Sequence, residues 1–185
     1  MRKSDYSEYR NRLLDAAREI IFTEGLSGLT AGRLATRVGL GRTVIHYHFG
    51  TMDHLLAALI RQSFVDIRDN FVARVDLDNI GESIWSLYRD GLQATEAVRA
   101  RALASDVVGV AYREAIDDFA SVIAGLLTQA YQARGKEPEI PTDVMALVML
   151  MSAQFAGVER ALGRSDTIDA LEDYVKSLFA ISSSR

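Results

Sequence analysis

The sequence predicts an all-α protein, and three observations carry that expectation. Apolar residues recur at helical spacing along most of the chain. Long alternating β-branched runs, the mark of strands, are missing. The two prolines, Pro138 and Pro141, fall together in the segment GKEPEIPTD, so the long segments on either side keep every backbone donor.

Each helix has a start or stop in the sequence. Residues 7–24 form the first, with Leu13, Ala17, Ile20 and Ile21 on its inner face and Gly25 as its stop. Thr30 is an N-cap residue type and opens a short second helix over 31–38, which Gly39 ends. A third short helix covers 41–47. Thr51 caps a fourth that reaches Arg74, with Asp53 in its first turn where the helix dipole favours an anion. The segment VDLDN interrupts the chain, and Asn79 followed by Glu82 opens a fifth helix to about Gln93. A sixth spans about 96–108. The seventh runs over 112–134, with Ile116, Phe119, Ile123, Leu126 and Ala130 inward and Gly135 as its stop. Thr142 caps an eighth helix to Leu162, and Gly163 and the serine tail bound a ninth over 167–181.

A chain of 185 residues suits one compact domain, or a small one joined to a larger one. Cysteine is absent, which excludes disulfides, thiolate metal sites and cysteine nucleophiles. The N-terminus MRKSDYSEYR has no apolar h-region, and the longest apolar run, VMALVMLM, is too short to span a bilayer. The expectation is a cytoplasmic protein with no membrane partner. The net charge of −4 is divided unevenly: residues 1–54 carry eight Lys/Arg against six Asp/Glu, leaving thirteen against nineteen for the rest. A basic N-terminal module on an acidic body is the asymmetry that steers a protein toward a polyanion.

The last two helices predict self-association. Val144, Val148, Met151, Phe155, Val158 and Leu162 follow a 4-3-4-3-4 spacing, and Ile168, Leu171, Val175 and Leu178 a 3-4-3 spacing. Met145, Leu147, Met149 and Leu150 make the eighth helix apolar all round, so more than one of its faces needs cover, and a second copy is the simplest partner.

The segment TAGRLATRVGLGRTVIHYHF places two short helices around a glycine-containing turn, a helix-turn-helix arrangement. Ala35 is small enough for the helices to cross closely, and Leu34, Val38, Leu40 and Ile45 hold them together. Arg42, Thr43, His46 and Tyr47 are then left outward, where arginine can pair with guanine and the others with phosphates. Gly41 and His48 border this face, and His48 has the alternative of half-burial against Phe49. The three histidines, His46, His48 and His54, show no ligand spacing such as Glu-x-x-His, and no nucleophile motif accompanies them. No glycine-rich phosphate loop, triad or carboxylate dyad occurs, so neither a metal, a cofactor nor an enzymatic activity is expected.

On these residues the chain resembles the N-terminal domain of the TetR family of transcriptional regulators. The matching pieces are Leu14, Ala16, Ala17, Phe22 and Gly25, then Thr30, Leu34, Ala35 and Gly39, then Phe49, Leu55 and Leu56. Two departures stand out: His46 lies where the family has tyrosine, and Met52 where it has a phosphate-gripping lysine. The helix N-terminus capped by Thr51 can still offer amides to a phosphate. The resemblance implies nine helices, a homodimer on a palindromic DNA operator, and release by a small-molecule effector. It divides the chain into a DNA-binding domain over 1–50 and a ligand-binding and dimerisation domain over 51–185. Arg33 and Arg37 become candidate phosphate contacts beside Thr30, although Arg37 has the alternative of pairing with an acid. The resemblance implies an effector chamber among the middle helices, where Phe64, Trp85, Tyr88, Leu92, Tyr112, Phe119, Met145 and Met149 are candidate lining residues and Asp106, Arg113 and Gln154 candidate polar contacts; each apolar one is equally well read as a core residue. The role expected is a repressor. The alternative is a helical small-molecule-binding or protein-interaction dimer with a degenerate DNA module.

Overall fold

The computed structural model of the chain describes the backbone of residues 3–91 and 95–178, which form nine α-helices and a 3₁₀ turn, with no strand among the described residues. The helices are α1 (Lys3–Glu24), α2 (Ala31–Val38), α3 (Arg42–Phe49), α4 (Met52–Arg74), α5 (Ile80–Gly91), α6 (Thr95–Ala104), α7 (Asp106–Ala133), α8 (Thr142–Ala161) and α9 (Ser165–Leu178). The 3₁₀ turn, Leu26–Gly28, follows α1. Among the described residues, no helix is long and apolar enough to cross a membrane.

Two compact units emerge, one within Met1–Phe64 and Ala94–Ala115, the other within Val65–Gln93 and Ile116–Arg185. Contacts therefore group the residues differently from a division of roles at residue 50, because α6 and the start of α7 pack in the same unit as α1–α3.

In the first unit, α1 supplies Leu13, Leu14, Ala17 and Ile20, which meet Leu34 and Ala35 of α2, Ile45 and Phe49 of α3, and Leu55 and Leu59 of α4. Each fully buried leucine or isoleucine contributes roughly 1.5–3 kcal/mol, so this small core holds three short helices that would not persist alone. A second cluster joins Leu56, Ile60, Val108 and Ala115, with Phe64, Val98 and Ala102 against it.

The corner between α6 and α7 lies earlier than the sequence expectation. α6 ends at Ala104 and α7 begins at Asp106, rather than breaking over 109–111. Ser105 makes the corner: its Oγ accepts the Val108 N–H at 3.5 Å, as an N-cap does. Gly109 lies inside α7. A Cβ there would stand 2.7 Å from the Ala102 carbonyl oxygen, so the glycine serves close helix approach and not helix termination.

In the second unit, α5, α8 and α9 pack against one another. Ile84, Trp85, Phe119, Ile123, Met145, Met149 and Ala153 are all buried, and Phe71 meets Phe119 edge-to-face with centroids 5.6 Å apart. On α7, Leu127 and not Leu126 is fully buried, continuing the four-residue step from Ile123. Lys176 of α9 pairs with Glu172 at 2.5 Å and with Glu82 of α5. Burial works against the Lys176 charge, but the bonds from both carboxylates outweigh it and hold the ammonium above its ordinary range.

The two helices expected to self-associate differ. On α8, Val144, Leu147, Val148, Met151 (61% exposed), Phe155 and Leu162 just beyond its end (70%) remain in solvent, with Val158 half-buried. On α9, Ile168 and Val175 turn into the chain's own core, Leu171 is half-buried and Tyr174 is exposed. Ile168 and Val175 are thus corrected from partner-facing to internal: one apolar stripe on a helix of this length cannot face its own core and a partner together. The Leu178 side chain lies outside the described residues.

Candidate nucleic-acid interface

The α2–turn–α3 geometry follows from two caps. Thr30 adopts an extended backbone (φ −122°, ψ 153°) and its hydroxyl accepts the Arg33 N–H at 3.3 Å. At the other end Gly39 is left-handed, at φ 69° and ψ 31°. Its N–H donates to the Thr36 carbonyl at 3.3 Å, and the Leu40 N–H donates to the Ala35 carbonyl at 3.0 Å. This paired closure is a Schellman turn, and a side chain at Gly39 would strain it. Ala35 is buried at the crossing, Ile45 packs on it from α3, and Gly41 precedes α3 as its N-cap residue.

The face so presented carries Arg42, Thr43, His46 and Tyr47, all exposed, Tyr47 to 65%. The Arg42 guanidinium lies over α2: a Cβ on Gly32 would stand 2.8 Å from its Nη2. The His46 Nδ1–H donates to the Gly50 carbonyl at 2.7 Å, and the Gly50 N–H donates to the His46 carbonyl at 2.8 Å. That bond fixes the His46 tautomer and leaves Nε2 as the acceptor of the neutral ring.

Of the two places open to His48, an outward DNA contact or burial against Phe49, the structure shows burial. Helix α3 continues to Phe49, so His48 falls one turn beyond Ile45 on the inward side and is only 8% exposed. Tyr47 meets it edge-on at 5.2 Å. Burial, and then the charge of Arg10, lower its pKa and so favour the neutral ring, which sits against Phe49 at the end of the helix. Arg10 itself stands 5.0 Å above the Phe49 ring.

Thr51 caps α4: its Oγ1 accepts the His54 N–H at 3.1 Å and shares a hydrogen bond with His54 Nδ1 at 2.8 Å. Met52, next to it, packs against the first unit's core. Asp53 makes the strongest polar junction of this unit. Its carboxylate accepts from Arg101 Nη2 at 2.5 and 2.7 Å, from Arg101 Nε at 3.1 Å, and from Ser105 Oγ at 2.8 Å. The hydrogen bonds from Arg101 and then Ser105 lower the Asp53 pKa. The sequence places Asp53 in a first turn, but the partners about fifty residues away carry no local signal.

Arg33 and Arg37 of α2 border an open groove of about 800 Å³, together with Thr30, Thr36, Arg42 and Glu24. Arg33 Nη1 pairs with Glu24, and Arg37 reaches Glu19 at 2.7 Å and Glu24 at 3.5 Å. The acid anticipated for Arg37 is therefore on α1, and two acids share the work. Phe22, one of the residues carrying the family resemblance, is 88% exposed; Ile21 fills the core-facing place at this end of α1.

The residues named for an effector chamber divide between the units. Phe64 and Tyr112 meet edge-to-face at 6.2 Å in the first, where Asp106 and Arg113 are exposed. Trp85, Phe119, Met145 and Met149 are buried in the second, with Gln154 half-buried. The Trp85 Nε1–H is buried with no hydrogen-bond partner among the described residues, a feature that residue type alone does not reveal. Leu92 and the Tyr88 side chain lie outside the described residues.

Residues 13–59 match the family model described as bacterial regulatory proteins, tetR family. The HTH-type transcriptional regulator BetI of Rhizobium meliloti (strain 1021) is 34% identical over 64 residues, which is 35% of this chain and 32% of that protein. The chain thus matches about a third of the length of this curated relative. Over nearly the whole chain, a transcriptional regulator from Saccharomonospora viridis in complex with choline superposes with a TM-score of 0.75 at 20% identity, covering 97% of this chain and 100% of that one. A TetR-family regulator from Cytophaga hutchinsonii gives 0.79 at 16% identity, with full coverage of both chains.

Proposed function

From the match of residues 13–59 to the TetR family model, we propose that the chain is a TetR-family, ligand-responsive transcriptional repressor acting as a homodimer on a palindromic operator. The observation that carries this reading is the exposed face of Arg42, Thr43, His46 and Tyr47 on a short helix held by the Gly39 turn. Arg42 would read a base edge in the major groove, while Thr43, Tyr47 and the α4 N-terminus beginning at Thr51 would take phosphates. An eight-residue helix reads only a few base pairs, so two copies spaced about 34–36 Å apart would be needed for a specific site. The exposed α8 face, from Val144 to Leu162, is where the second copy would sit.

The effector would be a small molecule held by the larger domain, here taken as 51–185. Because the Saccharomonospora viridis relative holds choline, a quaternary ammonium is the first compound to test. Aromatic side chains are suited to such a cation, and the chain's single tryptophan, Trp85, supplies an optical readout. Release would require a coupling of only about 1–3 kcal/mol between ligand and DNA sites.

The decisive experiment is a salt titration of binding to duplexes from the gene's own upstream region and to random duplexes. A steep salt dependence with a clear sequence preference supports the repressor. Binding without sequence preference supports the second reading, a small-molecule or protein-binding dimer whose DNA module is degenerate. Met52 favours that reading, since its packing into the core leaves no cation at the start of α4.

A further inference from the structure

The groove between the end of α1 and α2 holds carboxylates where a phosphate-binding surface would hold none. Glu24 joins Arg33 and Arg37 in one cluster, and Glu19 holds the other side of Arg37 at 2.7 Å. Arg42 borders the same groove and pairs with no carboxylate among the described residues. The cluster has a built seat: a Cβ on Gly28 would stand 2.6 Å from Glu24 Cβ and 3.3 Å from its Oε2. Only a residue without a side chain leaves the room in which Glu24 meets Arg33.

A carboxylate and a phosphate are chemically alike to a guanidinium: both are anions with oxygens that accept paired N–H bonds. We propose that Glu24, assisted by Glu19, is an internal competitor for DNA phosphate, and that it lowers the sequence-independent part of DNA affinity. A phosphate approaching Arg33 or Arg37 must displace the carboxylate or share the guanidinium with it, and the displaced carboxylate then repels the backbone at short range. Every duplex meets that opposition alike. Arg42 is spared it, so base reading carries a larger share of the binding that remains.

The proposal rests on the reading that Arg33 and Arg37 face DNA, and its test separates the two. The full-length protein is titrated with a random-sequence duplex about three helical turns long, across a series of salt concentrations. Glu24→Gln keeps the shape and removes the charge. It is expected to tighten binding about 2- to 5-fold, the scale of an exposed ion pair, and to steepen the salt slope by up to about one. Glu19→Gln is expected to act in the same direction by less, and it carries the test if the Glu24 variant is poorly folded by circular dichroism. Arg33→Gln and Arg37→Gln are expected to weaken binding. Unchanged or weaker binding by both glutamate variants, with the arginine variants weakened, overturns the competitor role and leaves the interface standing. No effect from any of the four overturns both.

Discussion

Helices α3 and α8 both leave a face in solvent, yet the two faces are opposite in chemistry. α3 shows Arg42, Thr43, His46 and Tyr47, groups that water solvates well. α8 shows Val144, Leu147, Val148, Met151 and Phe155, groups that water does not. The apolar face announces a partner by its cost, since a contiguous exposed apolar patch marks an interaction surface. The polar face costs nothing to expose, so it announces a partner only through its setting: a short helix held by caps and a Schellman turn on a dedicated small core. The physics of exposure is what supports the one proposed interface, and the geometry of the scaffold is what supports the other.

The contrast breaks most easily on α8. Phe155→Glu combined with Met151→Glu would place unpaired carboxylates in the proposed interface, costing about 3–5 kcal/mol of association. Sedimentation velocity should then show monomer where the parent chain shows dimer; a parent already monomeric would remove the assignment of this face. On α3 the effect is smaller and of another kind. Arg42→Ala or Tyr47→Ala should cost about 1–3 kcal/mol in specific DNA binding, with the melting temperature unchanged for Arg42→Ala and slightly lowered for Tyr47→Ala, which also loses the edge-on contact with His48, read by fluorescence anisotropy beside a thermal scan. Equal loss on operator and random duplexes would assign the residue to phosphates only.

Two further tests sharpen what holds the polar face in place. Asp53→Asn removes the charge that Arg101 and Ser105 grip, and should cost about 1–2 kcal/mol of stability, discounted for the partial exposure of Arg101. Urea denaturation gives the number. The smallest effect is the pH response of His48. Its folded pKa is depressed below the ordinary 6.5, so the folded state resists a proton that the unfolded chain accepts. Its contribution is complete above that value and is lost as pH falls below it, with the unfolded state binding more protons. Urea midpoints measured on either side of 6.5 should show this loss, and His48→Phe should flatten it.

Local chemistry made much of this fold legible in the sequence. Thr30 and Gly39 bound α2 at its observed residues, and Thr51 and Arg74 bracket α4, because capping acts within one turn. What escaped depends on distant partners or on phase. The pairs of Glu24 with Arg33 and of Asp53 with Arg101 join helices that sequence alone cannot bring together. His48 reads as outward only while α3 is taken to end at residue 47; two more residues carry it inward. The gap expected between residues 108 and 112 is instead helical, and Gly109 within it is required by close contact with the Ala102 carbonyl, a contact no local pattern shows. On the candidate interface itself, exposure of Arg42 and Tyr47 follows from periodicity, but the carboxylates beside Arg33 and Arg37 do not.

Gly109 also sets how closely its corner packs. With Ala102 seated against a bare backbone, any side chain at residue 109 would have to push α6 off α7 at this corner. The consequence reaches past the corner, because Ser105 within it donates its hydroxyl to Asp53 at 2.8 Å, so the close approach that Gly109 permits also seats a partner for the first turn of α4.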